Sequence, residues 1–182
     1  MAEEKKEKWL NYLALTTVIF AVCATLSTFK GGGYSTRSVL AQSQESNQWA
    51  YYQAKSIKGY IYETQKEKFE LELKASGARM PKVLFEEYKR KIDSYTEKIK
   101  KYVEEKKDIE GDAKKFEGIK EDAQKHSQIF GMAVIFLQIG ILLSSIAALL
   151  KKKIVWIIGL VVGIFGLFYF ANGFLTFVKI PT

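Results

Sequence analysis

From Phe85 onward the chain places Phe85, Tyr88, Ile92, Tyr95, Ile99, Tyr102, Ile109, Ala113, Phe116 and Ala123 at alternating spacings of three and four, with Lys106 and Lys120 on the vacant steps. That spacing gathers them on one stripe of an α-helix, the seam of a coiled coil. No stop signal follows. After His126, Ser127 and Gln128 the chain enters Ile129 to Leu150, an apolar run long enough to cross a bilayer as a helix. The other apolar residues are likewise gathered in blocks, which excludes an ordinary globular core. The expected fold is an all-α membrane protein. Three transmembrane helices are expected, with a long antiparallel helical hairpin, a coiled-coil extramembrane domain, between the first and the second.

The first expected span covers residues 9–28, introduced by lysines, with Trp9 and Tyr12 at the interfacial position. Its apolar run exceeds a signal-peptide core, and the small-residue pattern from Val39 to Ala41 lies well beyond its end, so an uncleaved anchor is expected. Ala14, Thr17, Ala21, Ala24 and Thr28 form a small-residue stripe along it, where another helix could approach closely. The second span, residues 129–150, carries Gly140, Ser144 and Ala148 four apart. The third, residues 154–178, sets Gly159, Gly163, Gly166 and Gly173 within one sector, including a G-x-x-x-G pair. Cys23, the single cysteine, has no partner for an internal disulfide and reads as a small hydrophobe.

Residues 29–43 hold Gly31, Gly32 and Gly33 in a row and are expected to form a hinge, because glycine stabilises a helix poorly. The segment GGGYSTRS lacks the lysine and hydroxyl offsets of a phosphate-cradling loop. Residues 44–127 are expected as the hairpin, with arms over 44–75 and 82–127 and a tip over 76–81 that ends in Pro81. On the first arm Ala50, Ala54, Ile57, Ile61, Thr64 and Leu71 keep the three-and-four beat, so Ile57, Ile61 and Leu71 are expected to face the second arm. The second arm is the longer, and the glycine segment with Trp49, Tyr51 and Tyr52 is expected to cover its surplus.

Charge sets the expected orientation. The formal net charge is +8, but residues 29–127 carry 21 Lys and Arg against 17 Asp and Glu, a net of +4 interleaved along the helices. Interleaving of that kind is a solvated face, so nucleic acid is not expected as a partner. The short turn Lys151, Lys152 and Lys153 (residues 151–153) is what the positive-inside bias acts on, whereas a loop of nearly a hundred residues escapes it. The tail of residues 1–8 is therefore expected in the cytoplasm, with the hairpin and residues 179–182 on the opposite side.

Chemistry-bearing residues do not converge. His126 is the only histidine, which leaves no histidine cluster for zinc and no nucleophile, base and stabiliser set. No catalytic residue, metal site or cofactor is expected, and the chain is not expected to be an enzyme. Polar residues within the spans, Thr16, Thr17, Thr25, Gln138 and Asn172, are candidate pore linings if several copies surround a conduit.

The run EKWLNYLALTTVIFAVCATLSTFKGGGYSTRSVLAQSQ from Glu7 to Gln44, followed by QWAYYQAKSIK, resembles the bacterial membrane family known as domain of unknown function DUF4337. The likeness spans nearly the whole chain. It implies a bacterial membrane protein with this layout and brings no catalytic residues; with the orientation expected from charge, the protein is expected in the bacterial inner (plasma) membrane with its hairpin periplasmic or extracellular. The expected function is that of a non-enzymatic, homo-oligomeric coiled-coil scaffold or interaction module. The alternative is an oligomeric channel or passive pore. Expected partners are membrane lipid, further copies of the chain, and an unidentified protein docking on the hairpin.

Overall fold

The computed structural model describes residues 8–76 and 79–175. Residues 1–7 of the expected tail (residues 1–8), Gly77 and Ala78 of the tip, and residues 176–182 with the end of the third apolar segment lie outside the described residues. The described residues form three α-helices: α1 (Lys8–Ser76), α2 (Lys82–Leu150) and α3 (Lys153–Leu175). Among the described residues there is no strand. Each helix contains a stretch long and apolar enough to cross a membrane.

The expected glycine hinge does not exist. α1 passes through Gly31, Gly32 and Gly33 without interruption and reaches the same 69 residues as α2, so no unequal arm has to be covered. A glycine in a helix costs about 1 kcal/mol relative to alanine, and three in a row are affordable only where tertiary contacts hold the segment. They do so here. Gly31 is buried against α2, where a Cβ would meet Phe130 Cβ at 3.0 Å. Tyr34 stacks on His126 with ring centroids 4.6 Å apart, and the Ser38 hydroxyl donates to the Lys120 carbonyl at 3.3 Å. The first glycine is thus a point of close approach between two helices, and flanking contacts supply the order that local propensity lacks.

Both ends of α2 are closed by recognisable local chemistry. Pro81 stands immediately before the first helical residue, and its carbonyl accepts the N–H of Phe85 at 3.0 Å. At the other end the N–H of Lys152 reaches back to the Ala147 carbonyl at 3.1 Å, and Lys151 adopts a left-handed φ of 51°. That combination is a Schellman turn with lysine in the place glycine usually takes. The Val155 N–H then bonds the Lys152 carbonyl at 3.2 Å and starts α3. The turn between the two apolar stretches is therefore built from the lysines themselves.

The chain divides into two compact units, one formed by Leu40–Ile119 and the other by the residues up to Val39 together with those from Lys120 onward. In the first, the two arms of α1 and α2 lie antiparallel in close contact, since Lys55 meets Glu105 while Phe69, nearer the tip, meets Tyr88. In the second, α3 runs parallel to α1 and antiparallel to α2. Trp9 meets Trp156 and Lys30 meets Phe174, whereas Phe130 meets Gly173 and Gly140 meets Gly159.

The glycines are separable by experiment. Gly32 and Gly33 have nothing within 4 Å of a built Cβ, so Gly32→Ala is expected to stabilise the protein by about 0.5–1 kcal/mol through helix propensity. At Gly166 a Cβ would lie 2.8 Å from the backbone nitrogen of Leu137, which no rotamer change can relieve. Gly166→Ala is expected to cost about 1–3 kcal/mol, read by thermal unfolding of the purified protein in detergent.

Candidate functional site

Two surfaces between helices carry the specific geometry of this protein. The first lies in the unit that contains α3. Gly159, Gly163, Gly166 and Gly173 are all buried, and each receives a larger group from a neighbour. The Phe20 ring occupies the space a Cβ would need at Gly163, Leu137 fills that space at Gly166, and the Phe130 ring lies 2.7 Å from a built Cβ at Gly173. Gly140 stands where all three helices meet: its built Cβ would touch the Gly159 carbonyl at 3.0 Å, the Gly163 Cα at 3.2 Å and Phe20 at 3.2 Å. An α-helix that is apolar on every side offers no amphipathic stripe, so missing Cβ atoms are what distinguish its docking face.

In this unit the buried positions on α1 are Leu13, Phe20, Ala24, Ser27 and Gly31, and those on α2 are Ala123, Phe130, Ala133, Leu137, Gly140, Ser144 and Ala147. Ser27 satisfies its hydroxyl locally, donating to the Cys23 carbonyl at 2.8 Å. Ser144 Oγ is buried without a hydrogen-bond partner. At the end of this unit where α1 and α3 begin, the Trp9 and Trp156 rings lie 6.1 Å apart, and the Trp156 indole N–H donates to the Thr16 hydroxyl at 3.3 Å.

The second surface joins the hairpin arms. Tyr62 sits between Tyr95 and Tyr102, with centroids 5.4 and 5.8 Å away, and Phe69 sits between Tyr88 and Tyr95 at 4.9 and 6.0 Å. The two arms interleave their rings one heptad at a time. Lysines cover the edges: Lys98 lies 4.9 Å from the centre of Tyr62, Lys91 5.3 Å from Phe69, and Lys106 5.6 Å from Tyr52. Each such cation over a ring face adds attraction that an aliphatic seam would not have.

One ion pair is set into this aromatic surface. Lys55 Nζ stands 2.6 Å from Glu105 Oε2, with the Tyr102 ring 5.3 Å from the same ammonium. The hydrogen bond from Lys55 holds the Glu105 carboxyl below the usual carboxylate range. The same bond, with a second to Tyr51, holds Lys55 above the usual lysine range. A hydrogen bond to Glu72 on the opposite arm raises the Tyr88 phenol, and one to Glu110 raises Lys114.

The family profile described as Domain of unknown function (DUF4337) matches residues 9–176, nearly the whole chain. The chain belongs to that family. No curated protein and no solved structure matches it. The family thus carries no assigned chemistry to this surface, and its residues have to be judged by their surroundings.

In this DUF4337 chain the structure brings together part of the expected set. On α2, Phe85, Tyr88, Ile92, Tyr95, Ile99, Tyr102, Ile109 and Phe116 all lie on the buried or half-buried face. On α1 the expected seam is displaced. Ile57, Ile61 and Leu71 are 59%, 54% and 64% exposed, and the face turned to α2 holds Trp49, Tyr52, Lys55, Gly59, Tyr62 and Phe69 instead. Aromatic rings spaced to fit between tyrosines every seven residues win over a stripe of aliphatics because they bury more surface per position. The signal was present in Tyr62 and Phe69, seven apart like their partners.

A smaller displacement occurs in the apolar unit. Ala24 is buried and Thr17 half-buried, whereas Ala14 and Ala21 are exposed; Leu13 and Phe20, one position earlier, take the inner face. Ala148 is exposed and Ala147 buried for the same reason. A glycine face accepts a ring more fully than it accepts a methyl group, so on α1 the large Phe20 opposes it, while on α2 Gly140 packs against Gly159 and Gly163. The candidate pore linings do not share one face of the chain: Thr25 and Gln138 are exposed, Thr16 and Thr17 half-buried, and Asn172 buried. Thr25 donates to the Ala21 carbonyl at 2.9 Å, and Thr17 to the Leu13 carbonyl at 2.7 Å. His126 donates through Nδ1–H to the Asp122 carbonyl at 2.9 Å while its ring lies on Tyr34. Among the described residues no group of three or more His, Cys, Asp and Glu side chains could hold a metal.

Two outcomes test this assignment. Tyr62→Ala is expected to destabilise the hairpin by about 2 kcal/mol and Tyr62→Phe by less than about 0.5 kcal/mol, read as amide hydrogen exchange of both arms. The ion pair has a pH window. Stabilisation from Glu105 is present above the normal carboxylate range and is lost as pH falls through its lowered value; that from Lys55 is present below the normal lysine range and is lost as pH rises through its raised value. Hairpin protection is expected to be level between about pH 5 and pH 10 with respect to this pair, and Glu105→Gln is expected to weaken the fall on the acid side.

Proposed function

We propose that this chain is a non-enzymatic integral membrane protein with three membrane-spanning helices, whose coiled-coil hairpin and spans assemble as a homo-oligomeric scaffold or interaction module. The observation that carries this reading is the outer surface of the apolar unit. While the glycine faces are closed against one another, Leu15, Val22, Ile135, Leu142, Ile158 and Ile164 are each more than half exposed. Such a surface is costly in water at roughly 25 cal/mol per Å² and costs nothing in hydrocarbon. Contiguous exposure of this kind marks a membrane or an interface.

Self-association is supported by Gln138, which is exposed in the midst of an apolar stretch. An amide facing lipid leaves its donors and acceptors unsatisfied, and a polar partner on a second chain relieves this. The Lys151–Lys153 turn favours the cytoplasmic side for itself and for the start of α1, which puts the hairpin on the periplasmic or extracellular side of a bacterial inner membrane. Lipid and further copies of the chain are the partners of this reading, and a second protein docking on the hairpin is compatible with it.

The alternative is an oligomeric channel, favoured by the same exposed Gln138 and by Thr25 if both face a shared conduit. The mass of the nanodisc-embedded particle and its conductance after reconstitution separate the readings. A discrete oligomer without conductance is expected. Conductance abolished by Gln138→Leu would establish the channel, and a monomeric particle would overturn both.

A further inference from the structure

The aliphatic stripe that the second arm leaves uncovered has the periodicity of a helix-pairing seam. Ala50, Ala54, Ile57, Ile61, Thr64 and Leu71 follow at three-and-four spacing or whole heptads, Lys68 fills the remaining step, and all of them are exposed. At 100° per residue the stripe is centred about 120° around the helix from Tyr62 and Phe69, which contact α2. One helix therefore carries two seams, one satisfied within the chain and one not.

We propose that this stripe is the contact between two copies of the chain, a parallel and in-register pairing of one α1 hairpin arm with the same arm of the second copy. The inference rests on the membrane reading above, because two copies inserted the same way round present their arms parallel, with like residues opposite like residues about a two-fold axis. Ile57, Tyr60, Ile61 and Leu71 are each more than half exposed. Together they offer on the order of 500 Å² per copy, somewhat below the ~800 Å² per partner of a specific soluble interface. Confinement to one membrane makes up the difference through effective concentration. Lys68 falls at a core position of the paired stripe, where a single lysine sets register and strand number at some cost in affinity. Its ammonium already lies 4.0 Å from Glu72 of its own helix, which limits repulsion between the two copies.

The test uses single-cysteine variants of the full chain in native membranes, with Cys23→Ser as background. Ile57→Cys and Leu71→Cys are expected to form disulfide-linked dimers on mild oxidation, each at least fivefold more than Lys100→Cys on the exposed side of α2. Equal yields at all three positions would overturn the pairing. In parallel, Ile57→Lys with Ile61→Lys is expected to lower the nanodisc particle mass while helix content stays unchanged by circular dichroism. If the natural chain is oligomeric but the stripe neither cross-links nor responds to the lysines, the stripe is wrong and the scaffold reading survives. A natural chain that is monomeric throughout overturns both.

Discussion

The third helix depends on absence of side chains. It is apolar on all sides, so hydrophobicity cannot tell its inner face from its outer one. What selects the inner face is the run of glycines that lets Phe20, Leu137 and Phe130 lie against bare backbone, with Gly140 and Gly159 bringing two main chains together. Dispersion between closely approaching atoms is then the chief attraction, and a gap of roughly 0.5–1 Å already forfeits about a quarter to a half of it. Large aliphatics on the remaining sides follow as a consequence, because no position inside is left for them.

The hairpin unit solves a different problem, that of holding two charged helices together through a narrow face in which rings outnumber aliphatics. Rings from α1 are inserted between tyrosines of α2, and lysines lie across their faces. The Lys55 and Glu105 pair adds register, since this contact from one arm to the other is broken by any slip of the arms. Half-buried rings with polar edges suit an arm whose flanks are lined by charged side chains. This arrangement also explains why an aliphatic stripe can stand exposed on a separate face of α1: the intrachain contact does not need it.

The element boundaries near Pro81 and the lysine turn follow from local chemistry: a residue without an amide hydrogen opens α2, and charged residues interrupt an apolar run. The α2 seam was equally legible, because its beat of three and four is long and unambiguous. The bend at Gly31 was inferred from intrinsic propensity, a preference of about 1 kcal/mol per residue that contacts to His126, Phe130 and Lys120 override. On the first arm two stripes share the same period, one aliphatic and one aromatic, and periodicity gives no means of ranking them. The small-residue stripe on the first apolar stretch missed by one position because it assumed that small residues meet small residues, whereas glycine on α3 meets phenylalanine on α1.

By itself, the sequence determined that the chain is helical, that apolar and charged residues occupy separate stretches, where the helices turn, and to which family it belongs. These follow from periods, runs and caps, all of which are local properties read within a few turns of helix. Only the tertiary structure decided that α1 continues through its glycines, which of its two stripes meets α2, and which large side chain fills each glycine gap. Those choices compare contacts between residues remote in the chain, and their differences in buried area and close approach do not exist until the partner helix is in place.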